Sequence, residues 1–303
     1  MGLPATVAVF ALLVAEAPYQ IPLPQIQERV AEEAAALEQN APKSLTVETL
    51  EQRALLPPTR FRPRFGKGAL EAPPLRLRVR EIVSEYSVGT LRESPSPNLL
   101  EFRQVISVDG RKVQSAESAR HALSLGIQSP DDRIRKRMLE NFARYGLVDV
   151  ATDYGLILLA FTHRGQQLME ISAAGEAVVG ADTALVLAWR QTSASEGELE
   201  FNGRMAVRRP LEGRLYVRQS DGLPLRISAW AEHAEDKRLV RDQATVEYVM
   251  SSHGFLTPAS VVHRHLVDGK LMTENRYRYE PFKIFSADTE IKFTEVPEPP
   301  KKK

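Results

Sequence analysis

The stretch Leu215-Tyr216-Val217-Arg218-Gln219-Ser220-Asp221-Gly222-Leu223-Pro224-Leu225-Arg226-Ile227 holds two strand-like runs that meet at an Asp-Gly turn, with Pro224 opening the second run. Asp-Gly between alternating apolar residues is a strong short-range hairpin signal. From Gly155 to Phe293 nearly every segment reads the same way. The short spacing between these runs favours hairpins over crossovers, so the pairing is antiparallel. The expected fold class is α+β, mostly β: a single large curved antiparallel sheet, an unclosed β-barrel, with helices covering its concave face. A curved sheet of this kind must have its inner face covered.

The N-terminal half supplies the cover. Gln25–Gln39 reads as a helix, with Ile26, Val30, Ala34 and Leu37 at helical spacing and Asn40-Ala41-Pro42 as the stop. Leu45–Leu55 reads as a first strand with Leu45, Val47 and Thr49 on one face. Leu75–Val88 is a long strand in which Leu75, Leu77 and Val79 are apolar on odd positions and Ile82, Tyr86 and Val88 on even ones, so a β-bulge near Arg80 is expected. Ser94–Pro97 turns the chain into a partner strand, Leu99–Val108, closed by Asp109-Gly110.

A helical insertion follows at about 114–146. Ser115 caps a helix running to Leu125 with Gly126 at its end. Ser129 as N-cap and Pro130 at N1 open a second helix carrying Ile134, Met138, Phe142 and Tyr145, which Gly146 stops. Arg133, Arg135, Lys136 and Arg137 on it read as a solvated face. Leu156–Phe161, a continuous apolar run, reads as a strand covered on both faces. Further runs end with Ile284–Phe293, and 297–303 reads as a disordered tail.

Ala5–Ala15 is an uncharged apolar run, long enough for a signal-peptide core and too short for a membrane span. Ala15-Glu16-Ala17 fits the small-x-small cleavage pattern. Residues 1–17 are therefore expected to be a signal peptide, 18–296 a single domain, and the location periplasmic or secreted. No integral membrane span is expected elsewhere.

The absence of cysteine excludes disulfides, thiolate metal sites and thiol nucleophiles. Forty basic against 39 acidic residues give a net charge of +1, which offers no bulk field for nucleic acid. Arg60-Phe61-Arg62-Pro63-Arg64-Phe65 interleaves basic and aromatic residues, yet in so neutral a chain it reads as a loop. No hydrolase elbow, zinc-protease motif or phosphate loop is present. His263-Arg264-His265 places two imidazoles on one strand face; two ligands do not define a metal site, and they read as surface residues. No cofactor and no metal is expected.

The better candidate is the concave face. The apolar phase of the last strands gathers Val246, Tyr248, Met250, Val262, Leu266, Leu271, Tyr277, Tyr279 and Phe285, with Ile291 and Phe293 beyond. Trp189 and Trp230 are read with them. Trp189, Trp230, Tyr248, Met250, Tyr277, Tyr279 and Phe285 are the candidate lining of an apolar cavity. A filled hydrophobic core explains the same residues without a ligand.

The order of elements resembles the lipoprotein-carrier superfamily of bacterial envelopes, whose members form an unclosed β-barrel plugged by helices. Leu215–Ile227 resembles the strand–Asp/Gly–Leu-Pro–strand signature of that superfamily. Val79-Arg80-Glu81-Ile82-Val83-Ser84-Glu85-Tyr86, with Phe102-Arg103-Gln104-Val105-Ile106-Ser107-Val108-Asp109-Gly110, looks like a group of exported bacterial proteins of similar plan. The resemblance covers most of Gln25–Phe293. It implies a non-enzymatic periplasmic carrier for a lipid or other apolar molecule. The competing readings are an envelope module that docks a protein partner, and an enzyme with a site scattered through the chain.

Overall fold

The computed structural model describes residues 21–57, 74–92, 99–150, 154–192, 198–202 and 205–285. The expected signal peptide, the Arg-Phe stretch, the Ser94–Pro97 turn, Ile291, Phe293 and the tail lie outside them.

Helix α1 (Leu23–Asn40) comes first, its amides at Gln25 and Ile26 donating to the Pro22 carbonyl, and it buries Ile26, Val30, Ala34 and Leu37 as their spacing requires. Strands β1 (Ser44–Leu56), β2 (Arg76–Thr90), β3 (Leu99–Val108) and the two-residue β4 (Arg111–Lys112) follow. Then come α2 (Ala116–Gln128), α3 (Asp132–Ala143), a 3-10 segment (Tyr154–Phe161) and the short α4 (His163–Gln166). The remainder is β5 (Met169–Val179), β6 (Asp182–Gln191), β7 (Glu198–Asn202), β8 (Met205–Arg209), β9 (Glu212–Arg218), β10 (Pro224–Glu235), β11 (Arg238–Met250), β12 (Leu256–Val267), β13 (Lys270–Tyr279) and β14 (Lys283–Ile284).

Twelve strands form one antiparallel sheet in the order β4-β3-β2-β1-β13-β12-β11-β10-β9-β6-β5, with β14 added beside β1; β7 and β8 pair as a separate hairpin. The sheet does not close on itself. The registers line up inward side chains in rows across it. One row runs Leu187, Leu215, Ile227, Val246, Val261, Tyr277, Leu50, Ile82, Val108. The first eight are buried, each contributing roughly 1.5–3 kcal/mol of transfer free energy. The next row runs Trp189, Gly213, Ala229, Ala244, His263, Asn275, Gln52, Arg80. The concave face is thus apolar along its spine and turns polar on the β12–β2 side.

That gradient overturns the strand phases expected at the N-terminal end. On β1 the inward face is Thr46, Glu48, Leu50, Gln52 and Ala54, not Leu45, Val47 and Thr49. On β2 the register with β1 passes Arg80 without a shift, so no bulge lies there; the irregularity is in the β2–β3 pairing, between Val83 and Ser84. Arg76, Arg78 and Arg80 share the inward face with Ile82, and Leu77 and Val79 lie outward, 62% and 53% exposed.

The cover also differs in its parts. The apolar run at Leu156–Phe161 is not a strand but the 3-10 segment, which packs against the inner face beside α1 and buries Leu156, Ile157, Leu158 and Phe161. A short continuous apolar run has no periodicity to distinguish the two. Helix α2 lies on the opposite, convex face, where Leu123 meets Phe102 and Ile127 comes close to Gly89. Gly126 does not stop α2. It sits inside the helix, and Met138 of α3 occupies the space its Cβ would need. Ser115 caps α2 as expected, accepting from the Ser118 amide. The cap of α3 is Asp131, which accepts from the Arg133 amide; Ser129 instead closes α2. Arg135 is not solvated: it is buried, bonded to Asp132 and to the carbonyls of Ile127 and Ser129.

Candidate functional site

Because β4 has only two residues, most of β3 has no strand beyond it, and α3 lies along that edge instead. Met138 reaches the convex-side cluster and Phe142 the concave core. Between α3 and β3 is a cavity of about 360 Å³ lined by Glu101, Arg103, Met138, Leu139, Phe142, Ala143, Leu147 and Val150. One wall is apolar, from α3 and the strap that follows it. The floor is charged.

The charged floor is built from two strands, with Glu48 on β1 and Glu101 and Arg103 on β3. Arg103 donates through Nε and Nη2 to the two carboxylate oxygens of Glu48, each at 2.7 Å, and through Nη2 to Glu101 Oε2 at 2.6 Å. All three side chains are 1% exposed. The guanidinium also lies over the rings of Tyr86, Phe142 and Tyr277, at 5.1, 5.0 and 5.7 Å. Glu101 Oε1 and the hydroxyls of Tyr279 and Tyr86 converge on Gly155 of the 3-10 segment; a Cβ there would stand 2.8, 3.5 and 3.7 Å from them. A side chain at position 155 would force the Glu101 carboxylate to shift. Burial, reinforced by the nearby glutamates, pushes both tyrosines far above the ordinary phenol range. Burial pulls the Arg103 pKa down, but Glu48 and Glu101 outweigh it and hold the guanidinium charged.

The strap is tied down by side chains of the sheet. Gln52 Nε2 donates to the Val148 carbonyl at 2.8 Å, and its Oε1 accepts from the Val148 amide at 3.1 Å. Asn275 donates to the Asp149 carbonyl, Thr273 to the Asp149 carboxylate, Arg80 to the Tyr145 carbonyl and Arg78 to that of Gly146. Behind the strap sits a second polar group. Asp242 Oδ1 takes His265 Nδ1 at 2.8 Å and lies 3.4 Å from His263 Nε2. An amide NH₂ only donates, so the Asn275 contact at 3.1 Å makes His263 Nδ1 an acceptor and places the ring proton on Nε2. His263 is not a surface residue. It is buried and stacks on Tyr154 with centroids 5.5 Å apart. Among the described residues no three His, Asp or Glu side chains gather as a metal site.

The aromatic candidates do not share one pocket. Trp189 is buried against Phe161, edge to face at 5.3 Å. Tyr248 donates to the Gly155 carbonyl and accepts from the Leu158 amide, fixing the 3-10 segment. Tyr277 lies under Arg103, and Tyr279 tilts against Tyr86 at 5.1 Å. Trp230 is on the convex face, bonded to Glu212 and covered by Arg241. Met250 is 45% exposed at the end of β11, and Phe285 is half-buried just past β14. The centre of the concave side is filled. Val262 alternates with the buried Val261 and His263, so it points outward and not into the core, and Leu271 is 41% exposed. A smaller space of about 260 Å³ lies at the other end, between the start of α1 and β5–β6, lined by Ile21, Leu23, Ile26, Leu185 and Leu187 among others.

Glu48, Glu101 and Arg103 were not singled out by sequence. The available signal was Glu101-x-Arg103, two opposite charges on one strand face, pointing where the neighbouring strand carries Ile82, Ser84 and Tyr86.

No family model matches the chain, and no curated protein does. Solved structures give distant likenesses. A domain described as an outer membrane lipoprotein-sorting protein from Vibrio parahaemolyticus is 8% identical, covering 87% of this chain and 94% of its own, with a TM-score of 0.35. A DUF1329 family protein from Desulfovibrio piger is 11% identical, covering 88% and 95%, with a TM-score of 0.36. The MucA/MucB complex of Pseudomonas aeruginosa contributes a chain 12% identical, covering 86% and 98%, with a TM-score of 0.20. Superpositions this loose carry nothing about activity or partner; the unclosed antiparallel sheet stands on its own strand order, and among the described residues no helix is long and apolar enough to cross a membrane.

Proposed function

We propose that the chain is an exported, non-catalytic binding or carrier protein whose half-barrel, within a single domain spanning 18–296, takes up a lipid or other amphiphile beside α3. The observation that carries this reading is the cavity of about 360 Å³, in which an apolar wall from α3 faces a fully buried charged floor. Its volume is at the low end for a small-molecule site, enough for one short chain and a head group. The space expected under the aromatic strands is filled by the 3-10 segment, so the ligand belongs at the β3 edge and not at the centre of the sheet.

Mass spectrometry of apolar extracts from natively purified protein is expected to find a bound amphiphile, and Leu139→Trp, which fills the cavity from α3, is expected to lose it. Retention of the same molecule by the variant would move the site elsewhere. Export predicts that the mature protein begins near Glu16 or Pro18, which N-terminal sequencing reads directly.

A second reading has its own support. Leu77 and Val79 stand exposed on the convex side of β2, with Leu75 beside them. An envelope partner that docks there is the alternative use of a sheet whose interior is mostly filled.

A further inference from the structure

We propose that the cavity at the β3 edge selects an amphiphile whose head is an uncharged hydrogen-bond acceptor, of the ketone or ester carbonyl type, and that Arg103 Nη1 is the group that binds it. This rests on the reading of that cavity as the ligand site.

Arg103 gives Nε to Glu48 and Nη2 to both Glu48 and Glu101. Among the described residues its remaining arm, Nη1, has no hydrogen-bond partner, and unlike Glu101 Oε1 it is not sealed in by its neighbours. Arg103 lines the cavity with a side chain that is 1% exposed, so Nη1 is where the guanidinium meets that space. The other walls are hydrocarbon, from Met138, Leu139, Phe142, Leu147 and Val150, and they fit a tail. Solvent entering the cavity can serve the Nη1 donor. A ligand that displaces this solvent must bring an acceptor of its own or leave a charged donor unpaired.

Charged heads fit this floor less well. A donating head such as an ammonium finds the acceptors taken: both oxygens of Glu48 and Oε2 of Glu101 face Arg103, and Glu101 Oε1 is enclosed with Gly155 and the hydroxyls of Tyr86 and Tyr279. An anionic head finds the donor, but it also joins two carboxylates that already share one guanidinium in a place almost closed to water. The floor offers one hydrogen bond and no spare counter-charge. A neutral carbonyl accepts that bond without adding charge.

The test uses the full chain at pH 7.5 with 2-undecanone, labelled with carbon-13 at its carbonyl, and with decylammonium and decanoate for comparison. Infrared difference spectra are expected to place the bound carbonyl stretch below its position in hexane and at or below that in water, as a charge-assisted hydrogen bond requires. Isothermal titration is expected to find the ketone bound at least tenfold more tightly than either ion. Arg103→Met combined with Glu48→Gln and Glu101→Gln removes the guanidinium together with its counter-charges. It should weaken the ketone at least tenfold and return the stretch toward the hexane position. A hexane-like stretch in the wild-type complex overturns the proposal, as does tighter binding of either ion or unchanged ketone binding in a folded triple variant; if that variant does not fold, the wild-type spectrum decides. Ketone binding that is lost in Leu139→Trp but shows a hexane-like stretch keeps the cavity and discards only the choice of head. Binding of none of the three defeats the cavity reading itself.

Discussion

Gln52 grips the backbone of Val148 from both sides, its amide nitrogen on the carbonyl at 2.8 Å and its carbonyl oxygen on the amide at 3.1 Å. A side chain on β1 thereby does what a neighbouring strand would do for the strap. The same Nε2 also reaches Asn275 Oδ1 at 2.6 Å, which turns Asn275 toward His263 and the Asp149 carbonyl. One buried residue orders both the rim of the cavity and the polar group behind it.

Gln52→Leu is expected to unfasten that rim. It leaves the Val148 carbonyl and amide and Asn275 Oδ1 without their partner, at a cost of about 2–4 kcal/mol in total. Urea unfolding checks the global figure. Hydrogen exchange checks the local one, since the Val148 amide should lose at least about tenfold of its protection while Leu215 and Ile227, at the far side of the sheet, keep theirs. Unchanged protection at Val148 would show that the strap is held by its other contacts.

Much of the architecture is legible in the chain because strand periodicity, turn residues and burial agree there. Leu215–Ile227 folds as the hairpin that its Asp-Gly turn demands, with Gly222 at φ 71°. Ile26, Val30, Ala34 and Leu37 face the core as their spacing implies. The N-terminal strands misled because the inner face there is polar by design: Glu48, Gln52, Arg78 and Arg80 are inward, and an apolar-in rule assigns them outward. Each is satisfied by a partner on another element that is distant in sequence and brought close by topology: Gln52 and Asn275 meet through the β1–β13 pairing. Single-strand patterning carries no information about that pairing. The aromatic residues misled in the opposite sense, since Trp230 pays no desolvation penalty on the convex face, where Glu212 and Arg241 engage its polar edge and ring.

Arg103→Met should be among the most damaging single changes in the protein. It strands Glu48 and Glu101 in the interior without a counter-charge, and removal of one partner from a buried ion pair costs about 3–5 kcal/mol. Adding Glu48→Gln and Glu101→Gln to the same chain removes the stranded charge, so the triple variant is expected to recover most of the loss. Chemical denaturation of the two variants separates the cases: equal losses would mean that packing around the Arg103 stem, and not charge, is what the floor supplies.

The pair Asp242–His265 makes a prediction about pH. The hydrogen bond to Asp242 raises the His265 pKa against the opposing effect of burial, with Asp149 and Glu235 adding to the rise. For Asp242, burial pushes its pKa up, but the hydrogen bonds from His263 and His265 outweigh it and hold it below the ordinary carboxylate range. A raised imidazole pKa stabilises the fold fully below its unfolded value, about 6.5, and that contribution fades as pH rises through the folded value. A lowered carboxylate pKa stabilises above about 3.9 and is lost only as pH falls through the folded value. The pair therefore contributes most between roughly pH 4 and 6.5 and weakens on the alkaline side. His265→Gln should cost more stability at pH 5.5 than at pH 8.5, read from urea midpoints at the two pH values. His263 on β12, Thr273 on β13 and Asp149 on the strap are the other groups around this pair, and the strap bond from Thr273 to Asp149 should slacken with it. An equal cost of His265→Gln at both pH values would show that the imidazole acts through its shape alone.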